Sequence, residues 1–305
     1  MKPVSRENDS IYIKGIGKTA DRVLGAFMLI LSALVLFPVV FIFLISFSSE
    51  ESIIKNGYRL IPDEWSADAY RYIAKSLGYI MRSFGVTAVI TIAGTVLSLF
   101  LISTMAYVLS REYFRLRKLY TMFIILPMFF GGGLAATYAV NTQLYDLKNT
   151  LLALILPGAC SSWYIIVMRT YYRQNIPEEI LEAACLDGAS QWRIFRQFVW
   201  PLSKPIIVTI GAFEAFSYWN SWYPNLLYTD SNHSGMYTLQ YVLYNLEKSA
   251  TFLATNDRIS GAIATRIPTE SYRMALAVII MVPVLVTYPL FRKFFVKGLT
   301  AGAGK

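Results

Sequence analysis

Long stretches without a charged side chain constrain this sequence more than any other feature. A helix needs about 20 apolar residues to cross a bilayer core roughly 30 Å thick. Six windows of suitable length are present, at residues 23–47, 83–110, 119–144, 150–168, 205–228 and 274–291, and the only charged residue in them is Glu214. Charged residues make up only 15% of the chain, whereas a soluble domain carries about 25%. We therefore predict an all-α integral membrane protein with about six transmembrane helices and no soluble half.

The lysines and arginines are divided unequally between the connections on the two sides of these windows. Of the 28, 18 lie in one alternating set of connections, at residues 1–22, 111–118, 169–204 and 292–305. Cytoplasmic connections carry an excess of Lys and Arg, so we predict a multi-pass topology with both termini in the cytoplasm. The net charge of +9 reflects this bias and does not indicate a nucleic-acid partner.

The chain divides into a cytoplasmic arm at residues 1–22, a transmembrane domain at 23–292 and a cytoplasmic tail at 293–305. Within the arm, residues 15–20 fit G-x-G-x-x-A and contain G-K-T, but no strand precedes them and Tyr12 replaces the first glycine of a P-loop. We interpret the arm as flexible and basic, followed by an uncleaved signal anchor. The chain has one histidine, His233, so neither a histidine-based metal site nor a Ser-His-Asp triad is predicted.

Residues 178–202 read EEILEAACLDGASQWRIFRQFVWPL and lie between the fourth and fifth windows, on the predicted cytoplasmic side. Pro177 suits the first turn of a helix, Gly188 breaks that helix, and Ser190 can cap a second one that Pro201 ends. The second helix spaces apolar side chains at i, i+3 and i+7, namely Trp192, Phe195 and Val199. An amphipathic helix of this kind either lies on lipid or docks into another protein, and the spacing does not decide between them.

The same stretch resembles the E-A-A…G loop of ABC importer permeases. The matching residues are Glu182-Ala183-Ala184, Asp187-Gly188-Ala189 and Pro201-Leu202, with Trp200 where the family usually has leucine. The resemblance implies a coupling loop at residues 171–204, whose coupling helix inserts into a cleft of a cytosolic ATPase. It assigns ATPase coupling to eight residues: Glu182, Ala183, Ala184, Asp187, Gly188, Ala189, Trp192 and Phe195.

Further segments resemble the carbohydrate-uptake branch of this family, which includes the maltose-type smaller permease, and more closely firmicute permeases for complex oligosaccharides. These segments are residues 126–134 (LPMFFGGGL), 149–150, 168–170, 218–220 and 294–299. The resemblance implies a type I ABC importer permease fold with the coupling helix between spans four and five. One departure is Ala135-Ala136, where an aliphatic residue and a proline are expected. Gly131–Gly133 permit either close helix approach or a broken helix.

The fifth window is the best candidate for a sugar path. It holds Glu214, an ionisable group whose insertion at a bilayer centre costs about 2.5–3.5 kcal/mol. Glu214 can line the cavity or bond to a partner permease. Aromatic faces suit sugar rings, and an amide suits their hydroxyls, so the predicted path residues are Glu214, Tyr218, Trp219, Asn220 and Trp222. For each single aromatic, packing or an interfacial belt is the competing interpretation.

The resemblance thus implies a permease subunit of an ATP-driven carbohydrate importer in a bacterial cell membrane. Expected partners are a second, different permease, two cytosolic ATPases, an extracellular sugar-binding lipoprotein and membrane lipid. ATP and Mg²⁺ would bind to the ATPases, so this chain is expected to be no enzyme and to hold no cofactor. The alternatives are an ion-coupled secondary transporter, against which stands the lack of an inverted repeat, and an intramembrane enzyme, for which no nucleophile–base pair is visible.

Overall fold

The computed structural model describes residues 18–255 and 269–300, and its backbone in these ranges is helical, without a β-strand beyond one isolated bridge between Ser48 and Trp65. The predicted all-α membrane architecture is confirmed. Most of the predicted N-terminal arm, residues 1–17, lies outside the described residues. The predicted C-terminal tail begins as helix, because the last helix continues to Thr300.

Residues 18–110 form four helices, of which two are long. Their bounds are α1 Lys18–Ile45, α2 Glu50–Asn56, α3 Asp68–Lys75 and α4 Leu77–Ser110. Few side chains of α1 are buried, whereas α4 has 34 residues and is buried along one side. A helix of that length spans about 50 Å, so α4 is longer than the roughly 30 Å hydrocarbon core.

Two apolar windows fold as bent pairs of helices. The third window gives α5 Arg117–Phe129 and α6 Leu134–Ala139, which continues as a π-helical segment, Val140–Leu144; the bend between the two parts is 116°. The fourth gives α7 Leu152–Ile155, a 3-10 turn and α8 Ser162–Asn175, with a bend of 50°. Three helices in the described ranges are long and apolar enough to cross a membrane, or five if each bent pair is one span.

The second half begins with the predicted coupling loop and ends with a long helix. The other helices in the described residues are α9 Glu178–Leu186, α10 Gln191–Ile194, α11 Trp200–Leu202, α12 Lys204–Trp219, α13 Tyr223–Tyr228, α14 Leu239–Thr255 and α15 Thr269–Thr300. A π-helical segment, Phe195–Val199, joins α10 to α11, and a 3-10 segment, Ser231–Met236, precedes α14. The fifth window is therefore a 16-residue helix, α12, followed by the separate short helix α13.

The packed centre of the protein is α12, which packs against α4 and α15, while α8 packs against α4 and also contacts α12. Small side chains on α4 permit this close approach, as in other membrane helix pairs. Those buried along α4 are Gly94, Ser98, Ser103 and Ala106. The core cluster around α4, α8 and α12 also includes side chains from α9, α10 and the π-helical segment, so the predicted coupling loop is part of the main core.

At the opposite end of the bundle, polar groups join segments that are far apart in sequence. The Glu50 carboxylate accepts hydrogen bonds from the backbone N–H groups of Glu270 and Ser271, both at 2.9 Å, and so caps the first turn of α15. The Asn149 amide donates to the Asp230 carboxylate at 3.0 Å, and its oxygen accepts from the Asp230 backbone N–H at 2.8 Å. These contacts fix the connections around the ends of α2, α13 and α15.

Candidate coupling loop and transport path

The first helix of the loop, α9, starts where the sequence predicts. Pro177 is its N-cap, with extended backbone, and Glu178 and Glu179 occupy its first turn. Acidic side chains there interact favourably with the positive end of the helix dipole. Leu181 and Ala184 point inward and are buried in the core cluster, which leaves the other side of α9 exposed.

The turn between α9 and α10 is built around Gly188. Its φ is +78°, in the left-handed region that favours glycine. The Ala189 N–H donates to the Ala184 carbonyl at 3.0 Å, and the Asp187 N–H donates to the Ala183 carbonyl at 3.0 Å. The bond from Ala189 back to Ala184, together with the left-handed glycine, is the pattern of a Schellman helix end. Ala184 belongs to the core cluster and Ala189 packs against it, so the turn is anchored to the bundle.

The second helix begins at the predicted cap. The Ser190 hydroxyl accepts a hydrogen bond from the Arg193 N–H at 3.3 Å, which satisfies one of the free N–H groups of a helix start. From Gln191 the chain stays helical through α10, the π-helical segment and α11, and it ends at Leu202, directly after Pro201. The bent two-helix loop is thus confirmed, with bounds close to the prediction.

The exposed surface of the loop differs from the predicted one. Glu182, Ala183 and Asp187 are exposed. Leu186, at the tip beside the turn, is 90% exposed, which sequence reasoning did not single out. Trp192 and Phe195 do share one aromatic face, with ring centroids 5.5 Å apart. That face is only partly exposed, because Trp192 is exposed whereas Phe195 is buried in the core cluster. The π-helical segment starts at Phe195 and changes the spacing of the side chains that follow.

The loop is fastened to the end of α4 by residues that sequence reasoning missed. The hydroxyls of Tyr107 and Tyr113 both donate to the Gln191 side-chain oxygen, at 2.8 and 2.7 Å. The Tyr107 ring also lies 5.3 Å from the Phe195 ring, centroid to centroid. Burial raises the pKa of the Tyr113 phenol, so its hydroxyl stays protonated and continues to donate. These contacts join the start of α10 to the end of α4 and the connection after it.

An open cavity of about 580 Å³ lies beside this junction. Its walls come from the end of α4 and from the exposed side of α9, and they include Tyr107, Tyr113, Glu182, Leu186 and Gln191. The cavity is bordered by both acidic and apolar side chains, and it opens next to the exposed tip of the loop. A partner segment that contacts Glu182 and Leu186 would lie at its rim.

Glu214, the predicted path acid, is only 3% exposed. Its carboxyl interacts with the Ser98 hydroxyl on α4, and Cys160 and Tyr164 are its electrostatic neighbours. Within the part of the chain that the structure describes, no Lys, Arg or His forms an ion pair with it. An acid with neutral neighbours in a membrane helix is the kind of group that marks a functional position.

Two other predicted path residues pack between helices. The Tyr218 hydroxyl donates to the Ile155 carbonyl at 2.9 Å and lies 3.2 Å from the Ser98 hydroxyl. The Trp219 indole N–H donates to the Ile280 carbonyl at 3.1 Å. Both side chains are buried, and their polar atoms bond within the chain, so in this structure they pack between helices, and their place in a sugar path stays a prediction. They hold α12 against α4, the end of α7, and α15.

The last two predicted path residues lie beyond the end of α12. Asn220 is the C-cap, is exposed, and donates from its amide to the Phe216 carbonyl at 2.9 Å. Trp222 stacks on Tyr244 of α14, with ring centroids 4.3 Å apart. Because α12 ends at Trp219, Trp222 does not continue the helix that carries Glu214 and Tyr218.

Comparison with known proteins agrees with this architecture. The family described as binding-protein-dependent transport system inner membrane component matches residues 119–301. The chain is 34% identical to protein LplC of Bacillus subtilis (strain 168) over 274 residues, covering 90% of each protein. It is 33% identical over 285 residues to YtcP of the same organism, a polygalacturonan/rhamnogalacturonan transport system permease protein, covering 93% of this chain and 98% of YtcP.

A solved structure has the same fold. It is the crystal structure of a bacterial ABC transporter involved in the import of the acidic polysaccharide alginate, and the chain compared has 27% sequence identity and a TM-score of 0.76. The match covers 92% of this chain and 99% of that one. The family match, the two relatives and this fold together show that the protein belongs to the family of binding-protein-dependent transport system inner membrane components and is a bacterial ABC importer permease.

Proposed function

We propose that this permease imports an oligosaccharide and transmits the motion of a cytosolic ATPase through residues 171–204. The observation that supports the coupling role best is the loop itself. Its tip exposes Glu182, Asp187 and Leu186, while its inner side is bonded to α4 through Gln191. A surface that is open on one side and tied to the core on the other suits the transfer of movement from a partner into the membrane.

The proposed complex contains this chain, a second and different permease, two ATPase subunits that bind ATP and Mg²⁺, and an extracellular sugar-binding lipoprotein. When the ATPases close, they pull α9 and α10 of this chain. The Gln191 hydrogen bonds and the Phe195–Tyr107 contact then move the end of α4. Since Tyr218 and Ser98 join α4 to α12, α12 moves as well. The cavity between the two permeases then closes on one side of the membrane and opens on the other.

Fragments of acidic polysaccharides are the first substrates to test. YtcP is named for polygalacturonan and rhamnogalacturonan transport, and the solved relative imports alginate. Glu214 remains our candidate for a path residue, since it is the buried acid of α12 and has neutral neighbours. In this role its carboxyl accepts hydrogen bonds from sugar hydroxyls as the helices rearrange.

Uptake of labelled oligosaccharides tests this proposal. Cells with and without the chain are given oligogalacturonides, alginate fragments, galacto-oligosaccharides and arabino-oligosaccharides. We expect uptake of at least one class to require the chain, and Glu182→Lys to abolish it and to reduce co-purification of the ATPase. Glu179→Lys is the matched control, because Glu179 is exposed on the same helix but lies outside the 580 Å³ cavity. Unchanged uptake and ATPase binding in Glu182→Lys would contradict the coupling role.

A further inference from the structure

The break between α5 and α6 leaves backbone polar groups without partners. The last hydrogen bond of α5 runs from the Phe130 N–H to the Leu126 carbonyl at 3.0 Å. The next one begins at the Gly133 carbonyl, which accepts from the N–H and the hydroxyl of Thr137 at 3.2 and 2.9 Å. Between these points, no residue in the described ranges bonds to the N–H groups of Gly131–Gly133 or to the carbonyls of Gly131 and Gly132.

These groups lie at a depth where lipid cannot satisfy them. At 1.5 Å per residue, the 13 residues of α5 carry the chain about 20 Å from Arg117. Arg117 pairs with Glu112 in the connection after α4, so it marks one face of the membrane. With α5 running across the membrane, the break is then inside a hydrocarbon core about 30 Å thick. Irregular backbone at that depth occurs only where it is buried in protein or lines a water-filled cavity.

The glycines leave this backbone open. Gly133 has a φ of +80° and therefore needs glycine, but Gly131 and Gly132 have no such conformation, and a Cβ atom at either would meet nothing within 4 Å. The local geometry does not explain glycine at those two positions. What the missing side chains provide is unobstructed access to the backbone N–H and carbonyl groups.

Two aromatic residues directly precede the open backbone in the chain. Phe129 is 75% exposed and Phe130 is 73% exposed. A sugar ring has apolar C–H faces and polar hydroxyl edges, so a pair of aromatic rings beside free donors and acceptors matches both of its surfaces. An apolar helix of a partner permease matches less well, because its own backbone groups are already bonded within the helix.

We propose that residues 129–133 form an open-backbone subsite for one pyranose ring of the transported oligosaccharide. One phenylalanine ring stacks on the sugar face, and the sugar hydroxyls bond to the free N–H and carbonyl groups of Gly131 and Gly132. Water occupies the site when no sugar is bound. This assignment rests on the proposed function, since it places the subsite in the path of an imported sugar.

Thiol accessibility tests the hydrated subsite. In a Cys160→Ser, Cys185→Ser background, Gly132→Cys is placed in the complete transporter in membranes. The charged reagent methanethiosulfonate ethylsulfonate should modify it fully. Phe123→Cys is the matched control, because Phe123 is on the same helix and 61% exposed but has no free backbone beside it, and it should remain unmodified. Failure to modify Gly132→Cys in an assembled complex would mean that lipid or the partner permease covers the break, and would overturn the subsite.

Protection and uptake test the sugar itself. Oligogalacturonides, alginate fragments, galacto-oligosaccharides and arabino-oligosaccharides are added in turn during the labelling of Gly132→Cys. At least one should slow its modification, and full modification at the same rate with all four would overturn the subsite. In uptake, Phe129→Ala or Phe130→Ala should raise the KM several-fold, and tyrosine at the same position should restore it, while Phe123→Ala has no effect. Unchanged KM in both alanine variants would also overturn it.

The two proposals fail in different ways. If the wild type takes up none of the four sugar classes, the proposed oligosaccharide import is contradicted. Labelling of Gly132→Cys still reports on the hydrated break, because the reagent acts without a sugar. The wild type could instead take up a sugar that does not protect Gly132→Cys and whose uptake does not depend on Phe129 or Phe130. That result would support the proposed import and contradict the subsite.

Discussion

The ring of Tyr218 lies directly against the backbone of Gly94. A Cβ atom built on Gly94 would come within 2.6 Å of the ring, closer than real Cβ contacts. The Tyr218 hydroxyl continues past this point to the Ile155 carbonyl. A single side chain of α12 thus crosses α4 at a position where only glycine leaves room, and reaches the end of α7. This contact sets how closely the two central helices approach.

We predict that Gly94→Ala destabilises the protein by about 1–3 kcal/mol, the typical cost of overpacking. The added methyl group collides with a ring that is held by its own hydrogen bonds, so the helices must separate. Gly85→Ala is the control, because it is on the same helix and its Cβ would meet nothing within 4 Å. Thermal unfolding of the purified protein in detergent measures both. Equal unfolding temperatures for the two variants would refute the prediction.

We predict that Gly188→Val lowers coupled uptake without preventing membrane insertion. A residue with a side chain in the left-handed region costs roughly 1–2 kcal/mol, so the turn relaxes and α10 shifts relative to α9. Gly188→Asn should retain most of the uptake, because asparagine tolerates this region. Uptake and ATPase co-purification are measured in the same membranes. If valine and asparagine behave alike, the backbone conformation at Gly188 is not what matters.

We predict that Trp219→Phe reduces stability by about 1 kcal/mol, the net value of a typical hydrogen bond, and leaves the preference among sugars unchanged. The substitution removes the N–H that bonds to the Ile280 carbonyl but keeps an aromatic ring beside Phe84. Thermal unfolding and competition between two labelled sugars measure the two effects. If sugar preference changes and stability does not, Trp219 lines the transport path and the packing role is contradicted.

We predict an acid-dependent loss of stability at Asp230. The Asn149 amide and then the Lys148 ammonium hold the pKa of the Asp230 carboxyl below its ordinary value. A lowered pKa stabilises the folded state above the ordinary pKa of the carboxyl, and that stabilisation is lost as the pH falls through the lowered value. Asp230→Asn should therefore have a lower unfolding temperature than the wild type at neutral pH. The difference between the two unfolding temperatures should disappear in acid.

A second variant tests the cause of this pH effect. Asn149→Gly removes the amide but keeps a residue that accepts the positive φ of 59° at this position. In this variant the loss of stability in acid should begin at a higher pH than in the wild type, because the Asp230 carboxyl loses its largest stabilising contact. Thermal unfolding across an acid-to-neutral series measures all three proteins. A pH profile of Asn149→Gly that matches the wild type would show that another group causes the shift.

We predict that the loop at α9 and α10 faces the cytoplasm. In a Cys160→Ser background, Cys185, which is exposed beside the turn, should react with a membrane-impermeant maleimide only after the cells are opened. In a background lacking both native cysteines, Ser231→Cys should react in intact cells, since residue 231 lies in the opposite connection. Labelling of Ser190→Cys from outside intact cells would reverse the orientation.

The parts of the site that the sequence predicts well are those with local causes. Glu178, Gly188 and Ser190 each act on backbone groups within a few residues of themselves, so the start, bend and restart of the loop follow from helix-end chemistry. The apolar windows locate most helices for a similar reason. Their ends are predicted less well, as α12 shows, because it stops at Trp219 inside a window that continues to residue 228.

The contacts that depend on tertiary packing were not predictable. Gln191 bonds to Tyr107, which is 84 positions away in the sequence, and nothing in either local pattern indicates it. Tyr218 and Trp219 have the composition expected of a sugar site, yet their polar atoms bond to carbonyls of other helices. Composition shows that such groups need partners in a membrane, but only the fold shows whether a partner is a sugar or the protein.

The cap that Glu50 provides for α15 has a consequence for the order of synthesis. The carboxylate and the N–H groups that it binds are 220 and 221 positions apart. At 5–20 residues per second, a ribosome needs roughly 10–45 seconds to cover that distance. During this interval α2 has been made and its acid is solvated, while the helix that it will cap does not exist. The N-terminal connection can therefore reach its final position only after nearly the whole chain has been inserted, and α15 is the helix that closes the fold.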